Sequence, residues 1–570
     1  MAKVEMKPSM GRKKIIPLVM ALADTIIRNL RFVEIINEAV RWDRSHWNIS
    51  PGSLAKMLVM GTFTDIRIPL NHLEDRLDGI DAEYFLDSLD KSTFVNESNV
   101  GEALDRIGEV DYDGLYEKVA LSAVRQYDMP VTRMHNDTTT ISFYGEYDIE
   151  KMKLTDEEKK SLLRIERGYN KDGRPECKQS VVGQIVNEYG VPIVSKTLDG
   201  ATSDVDWNRE AIQYASRLAG EGFIDGIFVA DCKLVTEKHI IKMNNPEKPL
   251  KFVSLCPANF NDSLERRIVT KAYEHGEWDT IGSISGVKGS TQYRGMSFIE
   301  DVFGTPMRLL VFESDSLRDK AAQAVSKKEA KLGTIVKEWE KSYWMCQADA
   351  EEACERFLAL KELALFDCDV RIEKLVKEKW PKGRRGPNTK PTLKETYHLH
   401  IGNVTRSEIA CRDFLQRGSC FVLISNVMGD YSDNDILKIY KGQQTVENSF
   451  RALKSPQLAS VIYLKNPKRI KVLNMLLTFS LLLRALIQFR LREGLKDFKE
   501  KNPGKKIFAG WGCRPLESPT FKLFYEHSIN CFYVRESPGI YSFSWPSYDT
   551  EKRVDPLLSL MGFSVENLLK

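Results

Sequence analysis

An α/β fold, a mixed sheet flanked by helices, is what this sequence predicts, and three observations carry the prediction. The apolar period changes from helical to alternating at Val131. Short β-branched runs then alternate with a helix-like stretch. A long charged tract without proline interrupts that series, which resumes near Tyr440.

With 570 residues, the chain is long enough for several domains, and 42% hydrophobic with 29% charged residues excludes wholesale disorder. Its net charge of +3 means that any nucleic-acid surface has to come from local clustering. The cysteines occur singly, with no CxxC pair and no signal peptide before them, so a reduced cytoplasm is the expected compartment. The apolar run Val472 to Ile487 is broken by Asn474 and Arg484 and is shorter than the ~20 residues of a membrane span. A buried helix and no membrane partner are expected.

The elements follow in order. Residues 1–128 form a helical N-terminal region: PLVMALADTIIRNLRFVEIINEAV and SPGSLAKMLVMGTF have helical apolar periods, the second opening on Ser50 as cap and Pro51 as first helical residue. Residues 129–256 begin with VTRMHNDTTTISFYG, rich in β-branched and aromatic residues. KQSVVGQIVNEYGVPIVSKTLDG adds two runs joined by a hairpin signal at Asn187-Glu188-Tyr189-Gly190. A helix over Trp207–Ala219, a strand GIFVADCKL reaching Asp231 and a strand KFVSLC complete this part. The order β-β-β-α-β-α-β is that of an RNase H-like core.

Residues 257–427 read as an inserted domain. Between Met307 and Trp380 there is no proline and only one glycine, Gly333, which predicts long solvated helices, while MRLLVFES and GSCFVLISN read as strands. Residues 428–490 return to the core and 491–570 form a C-terminal region. In YKGQQTVENSFRALK, Tyr440, Glu447 and Lys454 stand seven residues apart, so a single helix would carry all three on one face along about 21 Å. Ser432 or Asp433 caps that helix and Ser455-Pro456 ends it.

Asp137 in the first strand, Asp231 at the end of the fourth and Glu447 on the later helix are the candidate site. Three converging carboxylates need a cation to ionise together, and hard oxygen ligands suit Mg²⁺ or Mn²⁺. Two such ions can activate water and stabilise a leaving oxygen in phosphodiester chemistry. Each residue also has a structural reading: Asp137 as a turn cap through Thr139 or Thr140, Asp231 as the cap of a helix near Val235, Glu447 as the i,i+4 partner of Arg451, and Lys454 as a helix C-terminal charge. Asp204 and Asp206 read as a loop and helix cap with a supporting role open to them.

HNDTTTISFYG, IFVADCKL and YKGQQTVENSFRALKS resemble the three catalytic blocks of bacterial insertion-sequence DDE transposases, in the group with a Tyr-x2-Arg-x3-Glu-x6-Lys signature. RGYNKDGRPECKQSVVGQIVNEYGVPI is similar to that family's second and third strands, and the helical N-terminus to its N-terminal region. The resemblance implies that Asp137, Asp231 and Glu447 ligate two Mg²⁺ or Mn²⁺ ions and that Tyr440 and Lys454 position DNA. Gln443 stands where the group has Arg, which removes a cation from the transposon-end contact. Implied partners are double-stranded DNA, as terminal inverted repeats and as target, and a second copy of the chain on that DNA, acting at the bacterial nucleoid.

From Val461 to Gly510 there are twelve Lys or Arg against three acids, including Lys465, Lys468 and Arg469, and these, with Gln443 and Arg451, are candidate backbone contacts. KEKWPKGRRGPNTK at 377–390 reads as a basic loop around Trp380, or equally as a solvated connection. Rival functions are a metal-dependent nuclease of the same fold and a catalytically silent DNA-binding protein derived from such an enzyme.

Overall fold

The computed structural model describes residues 14–64, 73–86, 95–151, 155–223, 226–284, 291–380, 382–383, 390–455, 464 and 466–569. Lys465, Pro456 and most of the basic loop after Trp380 lie outside them. The chain divides into two compact units, one formed by Met1–Leu234, Lys242–Phe252 and Ile439–Lys570, the other by Val235–Ile241 and Val253–Lys438.

In the first unit, three consecutive strands form an antiparallel meander: β1 (Arg133–Phe143), β2 (Lys178–Asn187) and β3 (Pro192–Leu198). The predicted hairpin closes as its residues demand. Gly190 takes φ +81, and the Asn187 side chain accepts from the Tyr189 and Val191 amides. Helix α1 (Asp204–Gly220) then crosses to β4 (Ile227–Ala230), which pairs parallel with β1 in the register His135 to Val229. The strand order is therefore β3-β2-β1-β4.

Helices cover both faces of this sheet. Trp207 of α1 lies over Gly183 of β2, where an added Cβ would come within 2.4 Å of the indole, so only glycine admits that contact. On the opposite face, Val446 and Phe450 pack on Val186, and Ser195 of β3 shares a hydrogen bond with Thr478 on the long helix Pro467–Lys501. That helix is long and apolar enough to cross a membrane by length and composition, and 83% of its most apolar window is buried inside the protein.

The N-terminal region is helical, with main helices Leu18–Asn29, Phe32–Ala39, Pro51–Gly61, Glu97–Ile107 and Tyr112–Gln126. Ser50 caps the third by accepting from the Ser53 amide. One strand there escapes prediction: Ile15–Pro17 pairs antiparallel with Phe532–Ser537, beside Ile540–Phe543. Three residues are too few to show a period.

The second unit holds its own antiparallel strands, in the order Phe252–Leu255, Cys420–Ser425, Thr305–Ser314, Gln292–Val302, Asp279–Ser283. The long helices are Asp315–Lys341 and Gln347–Leu358, as the charged tract predicts. The tract does not stay helical to Trp380: Phe366–Lys379 is a strand paired with Thr392–Arg406. Alternation in FDCDVRIEK is the period-2 signal, and a two-stranded ribbon with both faces near solvent leaves it weak.

Candidate active site

The helix expected to carry Tyr440, Glu447 and Lys454 on one face is two helices. α2 (Asp433–Lys441) stops before Gly442, α3 (Gln444–Leu453) starts after it, and Lys454 is the C-cap of α3. The break is made of tight turns, with Gly442 N–H bonding Ile439 O at 3.1 Å and Gln443 N–H bonding Tyr440 O at 3.0 Å. It has a packing cause: a Cβ on Gly442 would stand 2.8 Å from the His135 ring. Ser432, rather than Asp433, caps α2 through the Asp435 amide.

Asp137 and Asp231 come together as the strand order predicts. The β1–β4 register, continued two residues past His135 and Val229, sets Asp137 of β1 beside Asp231, the residue that follows β4. Alternation along β1 sends Asn136 and Thr138 toward α1, and Asp137 toward the side that α3 covers. Asn136 is held there from several directions: its side chain accepts from Trp207 Nε1 at 2.7 Å and donates to Asn208 Oδ1 at 2.6 Å, while its carbonyl accepts from Gln443 Nε2 at 2.8 Å. Thr138 donates from Oγ1 to Asp204 Oδ1 at 2.5 Å, which gives Asp204 the supporting position left open to it.

A cation that the sequence reading missed stands among these carboxylates. Lys171 Nζ lies 3.1 Å from Asp204 Oδ1 and 3.4 Å from Asp137 Oδ1, and donates to the Thr138 carbonyl at 3.0 Å. Its only sequence signal is the charged, glycine-containing stretch YNKDGRPE before β2.

Burial pushes the Asp137 carboxyl above its usual range, against the pull of Lys171 and the Thr138 amide. Burial and then Asp137 itself push Asp231 up. For Lys171, burial pulls downward and is outweighed by Asp137, Asp204 and Asp231, so the ammonium is held charged.

Glu447 is exposed in the first turn of α3. The Tyr440 phenol is raised to about 12 by burial first, then by Asp231, Cys232 and Glu447. The Asp137–Asp231 donor set, hard oxygens whose charge burial and mutual repulsion disfavour, suits a divalent cation. Among the described residues, however, no three His, Cys, Asp or Glu side chains stand close enough to hold one ion together.

The remaining candidates are placed as follows. Gln443 turns inward to β1. Lys454 pairs with Asp172 at 2.6 Å, Arg451 donates to Asn448 at 2.9 Å and Arg469 forms a two-pronged pair with Asp105 at 2.6–2.7 Å. Lys468 is exposed. Among the described residues, the cations of 461–510 are not all free for one surface, since Lys471 and Arg484 are half-buried and Arg490 and Arg492 donate to the Met561 and Pro519 carbonyls.

Residues 15–121 match the family described as a domain of unknown function, DUF4277. A cryo-EM structure of the piggyBac transposase synaptic complex with hairpin DNA is similar over 85% of this chain and 78% of that one, at 10% identity and a TM-score of 0.35. No curated protein matches the chain. The reading of function rests on the site itself.

Proposed function

We propose that this chain is a DDE transposase with an RNase H-like core, which binds the terminal inverted repeats of its element, cleaves at the ends and joins the 3′-hydroxyls to target DNA. The observation that carries this reading is the juxtaposition of Asp137, on β1, with Asp231, the residue that follows β4, with both carboxyls pushed up by burial and Asp231 also by Asp137. Asp137 and Asp231 would hold Mg²⁺ or Mn²⁺ with Glu447 completing the set, and two such ions supply an activated water and a stabilised leaving oxygen. The chain's own part is to orient. Asn136, Trp207 and Gln443 fix β1 and the α2–α3 break around Asp137, the exposed Lys468 is offered to phosphates as a point charge, and Lys454 would reach one by exchanging Asp172 for it.

Cleavage and strand transfer on labelled DNA bearing the flanking repeats, in Mg²⁺ and in EDTA, test the reading, with Asp231→Asn and Glu447→Gln as controls. Joining that needs the metal and is lost in both variants supports it; joining in EDTA sinks it.

One observation favours a second reading, a silent DNA-binding protein derived from such an enzyme. Lys171 already neutralises Asp137 and Asp204, and the described acids do not close around an ion. Binding of the repeats with no cleavage under any metal would select this reading.

A further inference from the structure

Among the described residues, the charge that interrupts the apolar run of helix Pro467–Lys501 has no carboxylate partner. Arg484 is clasped between two rings, its Cζ 5.4 Å from the centroid of Phe63 and 5.3 Å from that of Phe521. Nη2 donates to the Thr62 carbonyl at 2.7 Å, and Nε is buried with no partner. The rings and the one carbonyl offset only part of the desolvation of this half-buried guanidinium, and burial pulls Arg484 down to about 10.

A cavity of about 740 Å³ lies beside it, wholly within the first unit. Its walls are α3, the long helix and Phe521–Ser528. Arg492 also lines it, donating from Nε to the Pro519 carbonyl at 3.1 Å, and it too is pulled down by burial. Among the described residues neither arginine forms an ion pair. The acids of the cavity are engaged elsewhere: Glu188 accepts from the Thr132 amide and hydroxyl at 3.1 and 2.6 Å, and Glu526 stands 3.7 Å from Lys522.

The cavity thus combines two guanidinium groups that lack an anion among the described residues, aromatic walls from Tyr189 and Tyr525, and amide groups from Asn448 and Gln488. Its volume lies in the range of pockets that enclose an organic ligand and far exceeds what a bare inorganic anion needs. We propose that it binds a nucleotide, with the phosphate at Arg484 and Arg492 and the base against the aromatic wall. The nucleotide has two possible sources, a free mononucleotide or one unit of a DNA strand. Because Asn448 and Ala452 belong to α3, occupancy also bears on the helix that carries Glu447. The binding itself does not depend on the proposed chemistry.

Calorimetry on the full chain in EDTA tests it, with dAMP, deoxyadenosine, inorganic phosphate and a short oligo-dA as probes. Saturable dAMP binding with Kd below about 1 mM is expected, with phosphate and deoxyadenosine each about tenfold weaker. Arg492→Gln and the cavity-filling Ala452→Leu, each first shown to melt as wild type does, should weaken dAMP about tenfold. Oligo-dA that displaces dAMP identifies a DNA strand as the source, and oligo-dA that does not identifies a free nucleotide. No saturable dAMP binding, phosphate binding as tight as dAMP, or full affinity in both variants overturns the proposal. Because EDTA removes the divalent metal, failure here is separate from failure of the cleavage assay.

Discussion

Gln443 donates from Nε2 to the main-chain carbonyl of Asn136 across 2.8 Å, one residue before Asp137. This ties the break between α2 and α3 to the strand that carries the first aspartate. The amide is thereby committed to the protein rather than offered to a phosphate. Gln443→Ala leaves a partly buried carbonyl with one bond fewer, and a loss of about 1–2 kcal/mol is expected. DNA affinity should change less than twofold while strand transfer falls. Urea melts and filter binding on the same preparation check the pair of outcomes, and a large loss of affinity at constant stability would restore the DNA-contact reading.

Lys171 occupies charge space that a divalent ion would otherwise share with Asp137 and Asp204. Removing the ammonium leaves the carboxylates to repel one another, and a cation becomes the remaining way to relieve them. Lys171→Met is therefore expected to bind Mn²⁺ about tenfold more tightly than wild type, ~1.4 kcal/mol, by titration of the free-ion paramagnetic signal. Weaker binding in the variant would mean that Lys171 orders the aspartates rather than competing for them.

The core is legible in the sequence because its signals are local. HNDTTTISF is rich in β-branched residues, Asn187 to Gly190 spells a turn, and Asp231 follows the apolar run IFVA, so local pattern finds the strands, and the strand order expected of them sets Asp137 beside Asp231. What fails is continuity. Nothing between Tyr440 and Lys454 breaks a helix by propensity except Gly442, and what requires glycine there is the His135 ring, which belongs to a strand more than three hundred residues earlier. Lys171 and the Ile15–Pro17 pairing are hidden for the same reason: each is defined by a partner distant in sequence, and the chain's local period carries no trace of it.

The N-terminal strand is fastened to the C-terminal hairpin by charge. Glu83 accepts from Lys14 at 2.7 Å and pairs with Arg535 at 2.5 Å, while Arg535 also reaches the buried Asp81 at 3.1 Å. Lys14 first and then Arg535 hold the Glu83 carboxyl down at about 2, from an ordinary value of 4.5. A depressed folded-state value means that the unfolded chain takes up the proton first. The stabilisation is complete above pH 4.5 and is lost as pH falls toward 2. Glu83→Gln should lower the melting temperature at pH 7 and flatten its acid limb over that window. An unchanged slope between pH 4.5 and 2 would show that other carboxyls govern acid unfolding.

Asn474 presents the opposite case, a buried amide unpaired among the described residues. It is 2% exposed in the long core helix, and both its Nδ2 and Oδ1 lack partners there. Only its main chain is engaged, accepting from the Thr478 hydroxyl at 2.9 Å. A buried amide that exchanges water for no partner carries its full desolvation cost. Leucine has nearly the same shape and a better helix propensity, so Asn474→Leu is expected to raise stability by about 1–2 kcal/mol. Denaturant midpoints at constant slope measure the gain. A loss instead would mean that the amide binds ordered water, whose bonds the leucine side chain cannot replace.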